Sequence, residues 1–139
     1  MKTGKIADGG DALMDSESEP ALRSRSILVV DDNASLREAL VAVLGNEGYA
    51  VFQASNGNAA IEEMHRQAIA LLITDLVMPE GEGIETIRHF RQEFPRIPVI
   101  AMSGMPEYLP MAKALGAAII LPKPIVYTDL LQAVRNLIG

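Results

Sequence analysis

From Ser26 onward, short apolar runs rich in β-branched residues alternate with longer stretches in which apolar residues recur at helical spacing. The runs predict strands over Ile27 to Val30, Tyr49 to Ala54, Leu71 to Thr74, Pro98 to Met102 and Ala118 to Leu121. Several are apolar without interruption, as expected of strands covered on both faces by crossover helices. Between them, Leu36, Leu40, Val43 and Leu44 share one helix face. Ile61, Met64 and Ala68 share a second, and Ile84, Ile87 and Phe94 a third. A last helix carries Leu130, Leu131, Val134 and Leu137, with Thr128 or Asp129 as its expected N-cap. Breakers at Gly48, Pro95 and Gly116 close the helices. Five such βα repeats predict a doubly wound α/β domain built on a five-stranded parallel sheet.

The pattern begins only after residue 24. Residues 1–24 carry Asp8, Asp11, Asp15, Glu17 and Glu19 among glycines, with little apolar periodicity, and read as a disordered acidic tail. The short Ala12-Leu13-Met14 patch is assigned no role. Residues 25–139 form the folded unit, and a chain of 139 residues is expected to hold one domain. No apolar run reaches the roughly 18 to 20 residues of a membrane span. Met1 to Pro20 lacks the basic start, apolar core and cleavage site of a secretory signal, so a cytoplasmic location is expected. With no cysteine, thiol chemistry and thiolate metal sites are excluded. A net charge of −6 argues against direct nucleic-acid binding, which needs clustered Lys and Arg.

Candidate chemistry gathers where the predicted strands end. Asp31 and Asp32 follow the first strand, Asp75 the third, Ser103 the fourth and Lys123 the fifth. In open parallel sheets ligands bind beyond the carboxyl ends of the strands. Carboxylates brought together there repel unless a cation is present. An all-oxygen donor set with open positions suits Mg²⁺, with calcium or manganese as alternatives. Given such an ion, Asp75 is the candidate nucleophile toward a phosphoryl group. Asp31 and Asp32 then hold the metal together with Asp75, and the backbone carbonyl of Val77 is a possible further ligand. Ser103 and Lys123 would meet phosphate oxygens through a hydrogen bond and a positive charge.

The ordered set Val29-Val30-Asp31-Asp32-Asn33, Thr74-Asp75-Leu76-Val77-Met78-Pro79, Ser103-Gly104 and Lys123-Pro124 resembles the signature of response-regulator receiver domains. The resemblance covers about residues 25–139. It implies a flavodoxin-like fold with strand order 2-1-3-4-5 and a Mg²⁺ requirement. It also implies phosphotransfer to Asp75 from a sensor histidine kinase or histidine phosphotransfer protein, and a downstream protein target that meets the face made by the fourth helix, fifth strand and fifth helix. In the family the residue matching Ser103 moves toward the phosphate, and the lysine commonly precedes a cis proline.

Several residues depart from the family pattern. Ile120 stands three residues before the lysine, where receivers usually carry Tyr or Phe. Pro106 and Pro110 interrupt a shortened segment, so the fourth helix is expected to be short or distorted. Glu80 replaces a common glycine, while Gly81 and Gly83 are expected to keep that loop flexible. Val77 and Met105 are apolar where polar residues can orient a hydrolytic water, so slow self-dephosphorylation is expected.

Other features have plain readings. His65 and His89 are expected to be solvated surface residues, Met64, Met102, Met105 and Met111 to fill the core, and Arg88, Arg91 and Arg96 to mark a solvated face. The rival function is a phosphorylation-independent receiver-like interaction module. A phosphohydrolase of the haloacid-dehalogenase kind would need an acid at Val77, and no glycine-rich turn after the first strand supports a dinucleotide site. The chain is therefore read as a signalling domain that catalyses only its own phosphotransfer and dephosphorylation.

Overall fold

A computed structural model describes residues 25–77 and 82–139. The acidic segment 1–24 and residues Met78 to Gly81, including Glu80, lie outside the described residues. Five strands form one parallel sheet: β1 (Ser26–Val30), β2 (Ala50–Ala54), β3 (Leu71–Asp75), β4 (Val99–Ser103) and β5 (Ile119–Pro122). Their order is β2-β1-β3-β4-β5, the flavodoxin-like arrangement. The connecting helices are α1 (Ala34–Asn46), α2 (Gly57–Arg66), α3 (Glu82–Glu93), α4 (Leu109–Ala114) and α5 (Tyr127–Ile138). Among the described residues, no helix is long and apolar enough to cross a membrane.

The uninterrupted strands follow from two cores, one on each face of the sheet. Leu28, Val30, Leu72, Val99 and Ala101 point into a cluster with Ala60 and Met64 of α2, Ile87 and Phe90 of α3, and Ala112 of α4. The alternate positions Ile27, Val29, Leu71, Ile73, Ile100 and Met102 pack with Leu40 and Leu44 of α1 and with Leu130, Ala133 and Val134 of α5. Successive side chains in a strand face opposite ways, so both parities must be apolar when both faces are covered.

Local signals set the element ends. The Asn33 side chain accepts from the Leu36 N–H at 3.0 Å and caps α1, and Asn56 caps α2 through the Ala59 N–H at 2.8 Å. Gly48 and Gly116 take φ of +93° and +104°, a region costly for other residues, and turn the chain after α1 and α4. The fourth helix is short, as its prolines require: a 3₁₀ turn over Pro106–Tyr108 leads into only six α-helical residues.

Some expectations needed correction. Neither Thr128 nor Asp129 caps α5; they lie inside its first turn, and the capping position is Val126, which makes no side-chain cap bond. Ala68 is exposed beyond the end of α2, whose buried face is completed instead by Ala60 and Met64. Of the four methionines, Met64 and Met102 fill the core, while Met105 and Met111 are exposed. Gly83 is not a loop hinge. It lies in α3, pressed against the end of β3, where an added Cβ would sit 2.2 Å from the Leu76 carbonyl oxygen and 2.5 Å from that of Asp75.

The contact at Gly83 predicts that Gly83→Ala destabilises the protein by roughly 1 to 3 kcal/mol, because backbone rather than a yielding side chain fills the space. Gly45→Ala, on the open face of α1 with nothing within 4 Å of its new methyl, should instead stabilise by up to about 1 kcal/mol. Urea melts of the two variants beside the parent measure both signs.

Candidate functional site

The strand order reverses at β1, which has β2 on one side and β3 on the other, opening a crevice at the carboxyl ends of β1 and β3. Register decides what meets there. Val30 pairs with Thr74, so the next residues, Asp31 and Asp75, stand side by side. Asp75 pairs with Met102 and Ser103 with Pro122, which brings Ser103 and Lys123 to the same edge. The Lys123 N–H donates to the Ser103 carbonyl at 2.8 Å, and the Lys123–Pro124 peptide is cis.

Asp31, Asp32 and Asp75 each present a carboxylate oxygen within 4.8 Å of the others. Asp31 is fully buried, Asp75 nearly so, and Asp32 is exposed at the mouth. Lys123 reaches back past β4 to place its Nζ 2.9 Å from Asp31 Oδ2 and 3.1 Å from Asp75 Oδ2. One ammonium therefore bridges two buried carboxylates that would otherwise repel at close range. The remaining oxygens are held by backbone: the Asn33 N–H donates to Asp31 Oδ1 at 2.9 Å and the Val77 N–H to Asp75 Oδ1 at 3.2 Å. Val77 and Met105 form an exposed apolar rim.

Ser103 stands at the same edge, buried at the end of β4, with its hydroxyl engaged locally. It donates to the Met105 carbonyl at 3.1 Å and accepts from the Met105 N–H at 3.0 Å. Tyr108 N–H donates to that same carbonyl at 3.0 Å and closes the 3₁₀ turn.

Two residues around the acids escaped sequence reasoning. Arg37 of α1 donates from Nη1 to the Asp31 carbonyl at 2.7 Å and from Nε to Gln53 Oε1 at 2.8 Å. Its one signal was its place four residues after the cap Asn33, a full helical turn above the acidic pair. Gln53, at the end of β2, carried none. Away from the site, His65 and His89 are exposed as expected, yet both hydrogen-bond Glu93, and His65 packs on Phe94. The two imidazoles hold the Glu93 carboxyl below its usual range, the His65 hydrogen bond first.

Burial first, then the Asp31 carboxylate, raises the Asp75 carboxyl above its ordinary value of 3.8; Lys123 and the Val77 N–H act the other way without cancelling the rise. For Lys123, burial alone would lower the ammonium. The hydrogen bond to Asp31 and the charges of both carboxylates outweigh it, so it lies above its ordinary 10.5. The arrangement fits a hard divalent cation on chemical grounds: an all-oxygen set, one member open to water, with like charges that a cation would relieve.

A carboxyl raised in this way binds its proton more tightly in the folded than in the unfolded chain. Its stabilisation is complete below the ordinary value of 3.8 and is lost as pH rises through the folded value, so ionised Asp75 costs stability near neutrality. Asp75→Asn is accordingly expected to melt higher than the parent in EDTA at neutral pH, with the gap closing as pH falls toward 3.8. Calorimetry across that range checks it, and a variant melting lower throughout would contradict the account of a carboxylate destabilised first by burial and then by Asp31.

Comparisons with known proteins converge on one family. The family described as "Response regulator receiver domain" matches residues 27–135. The chain is 31% identical over 116 residues to the response regulator receiver protein CpdR of Brucella abortus, covering 82% of this chain and 97% of CpdR. It is also 31% identical over 117 residues to sporulation initiation phosphotransferase F of Bacillus subtilis, covering 83% and 94%. Of several other curated relatives it spans less, from 15% to 50% of their length. A crystal structure of a response regulator receiver protein from Pseudomonas putida superposes with a TM-score of 0.75 at 35% identity, over 80% of this chain and 95% of that one. With its 2-1-3-4-5 sheet and acidic crevice, the chain belongs to the response regulator receiver domain family.

Proposed function

We propose that this receiver domain is a phosphorylation switch in which Asp75 accepts a phosphoryl group from a sensor histidine kinase or histidine phosphotransfer protein, in the presence of Mg²⁺, and thereby changes its binding to a downstream protein. The observation that carries this reading is the Asp75 carboxylate lying beside two further acids and 3.1 Å from the Lys123 ammonium. In the transfer, an Asp75 oxygen bonds to phosphorus as the bond from phosphorus to the donor imidazole breaks. Bound Mg²⁺, held by Asp31, Asp32, Asp75 and the Val77 carbonyl, would neutralise charge on the transferred group. Lys123, 3.1 Å from Asp75 Oδ2, would supply a counter-charge to a phosphoryl oxygen there, and Ser103 at the same edge would donate a hydrogen bond.

The Ser103 hydroxyl has one proton. To donate it to a phosphoryl oxygen, Ser103 must release the Met105 carbonyl, the same carbonyl that closes the turn to Tyr108. Tyr108 and Ile120 pack on the same core cluster, so a shift of Met105 on losing the Ser103 bond would pass through the Tyr108 turn to the β4–α4 segment without an aromatic ring at position 120. The exposed residues Met105 and Met111 lie on that moving segment and offer apolar surface to a protein partner.

Incubation with a small phosphodonor such as acetyl phosphate and Mg²⁺ is expected to label the parent, and Asp75→Ala or EDTA to abolish labelling, as read by intact mass. Labelling that survives Asp75→Ala would remove the assigned acceptor, and a parent that never labels would favour the phosphorylation-independent module. Because Val77 and Met105 cannot orient a water by hydrogen bonding, the aspartyl phosphate should decay slowly. Val77→Asn is expected to hasten that decay, and an unchanged rate would rule out this explanation.

A further inference from the structure

The side chains of Asp31 and Asp32 belong to consecutive residues, so the peptide plane between them sets where the two carboxylates stand relative to each other. That plane is gripped at its oxygen. Arg37 Nη1 donates to the Asp31 carbonyl at 2.7 Å, while the Asp31 N–H is fastened to the Ala54 carbonyl at 3.2 Å. Arg37 is itself oriented, because its Nε donates to Gln53 Oε1 at 2.8 Å. Its own N–H closes the first turn of α1 on the Asn33 carbonyl at 3.0 Å, so the guanidinium hangs from a fixed point. The planar fork of an arginine suits two acceptors at set angles, and a lysine cannot reproduce it.

We propose that Arg37 is a positioning residue for the acidic pair: through the Asp31 carbonyl it fixes the Asp31–Asp32 peptide and thereby preorganises the divalent-cation site, with Gln53 holding the guanidinium in register. This rests on the metal-site reading given above. The exposed Asp32 carboxylate is the ligand most in need of such help, since rotation of that peptide would swing it away from the crevice while Asp31 stayed anchored by Lys123. Arg37 also carries a positive charge beside a cation site. By charge alone its removal would tighten cation binding; by positioning its removal would weaken it. The two roles therefore predict opposite signs.

The test is a Mg²⁺ titration of the full-length chain by calorimetry, with the amide signals of Asp32 and Asn33 followed by NMR and melting in EDTA as the control for folding. Arg37→Met is expected to weaken Mg²⁺ binding roughly tenfold, as loss of a residue that orients metal ligands does. Arg37→Lys should restore only part of it, and Gln53→Met, which keeps the charge, should weaken binding in the same direction by less. Both Arg37→Met and Gln53→Met should shift the Asp32 amide signal in the metal-free protein. Unchanged or tighter binding in Arg37→Met overturns the proposal. If Arg37→Met does not fold, Gln53→Met decides, and equal affinity with an unmoved Asp32 amide overturns the proposal. Failure of the parent itself to bind Mg²⁺ is a different result: it overturns the metal-site reading, and the positioning role falls with it.

Discussion

One ammonium holds two buried carboxylates together, and the site is arranged around that contact. Lys123 lies 2.9 Å from Asp31 Oδ2 and 3.1 Å from Asp75 Oδ2, deep enough that neither acid is well hydrated. Burying charges of like sign is costly unless each is paired and hydrogen-bonded. Here every oxygen named has a partner, the backbone N–H groups of Asn33 and Val77 completing what Lys123 begins. The raised Asp75 carboxyl shows that the compensation is partial. A site left short of positive charge is a site ready for a cation.

The sheet makes this contact possible by holding three strand ends rigidly. Apolar side chains cover both faces of β1, β3 and β4, so the strands cannot slip by one residue without turning a polar end inward. The register Val30 to Thr74 then places Asp31 and Asp75 as neighbours. Gly83 adds a constraint on the other side, letting α3 come close enough to touch the carbonyls at the end of β3. Scaffold and site share the same backbone atoms there, so a change in helix packing reaches Asp75 directly.

Beside this rigid centre lies the least regular connection among the described residues. The β4–α4 connection is a 3₁₀ turn and a short helix, held near the site by the Met105 carbonyl that serves both Ser103 and Tyr108. Short helices contribute few hydrogen bonds of their own and depend on packing for their stability. Ile120 provides bulk but no ring, and it packs on the same core cluster as Tyr108 of the turn.

The chain's apolar periodicity carried the fold: the five strands, their order of appearance and the helix faces were legible because a two-sided sheet demands uninterrupted runs and a surface helix demands spaced ones. The polar residues after those runs were legible for the same reason, since a charged residue ending an apolar strand has nowhere to go but the sheet's edge. Tertiary structure alone decided the rest. Arg37, Gln53 and the Met105 carbonyl act through hydrogen bonds whose partners are set by side-chain direction, which no spacing encodes. Gly83 read as a flexible position because a glycine in sequence looks the same whether it frees the chain or lets backbone approach backbone. Met105 and Met111 read as core because hydrophobicity states a preference, while burial depends on whether a neighbouring element covers the residue, and both stay exposed, Met105 just ahead of the 3₁₀ turn and Met111 on α4.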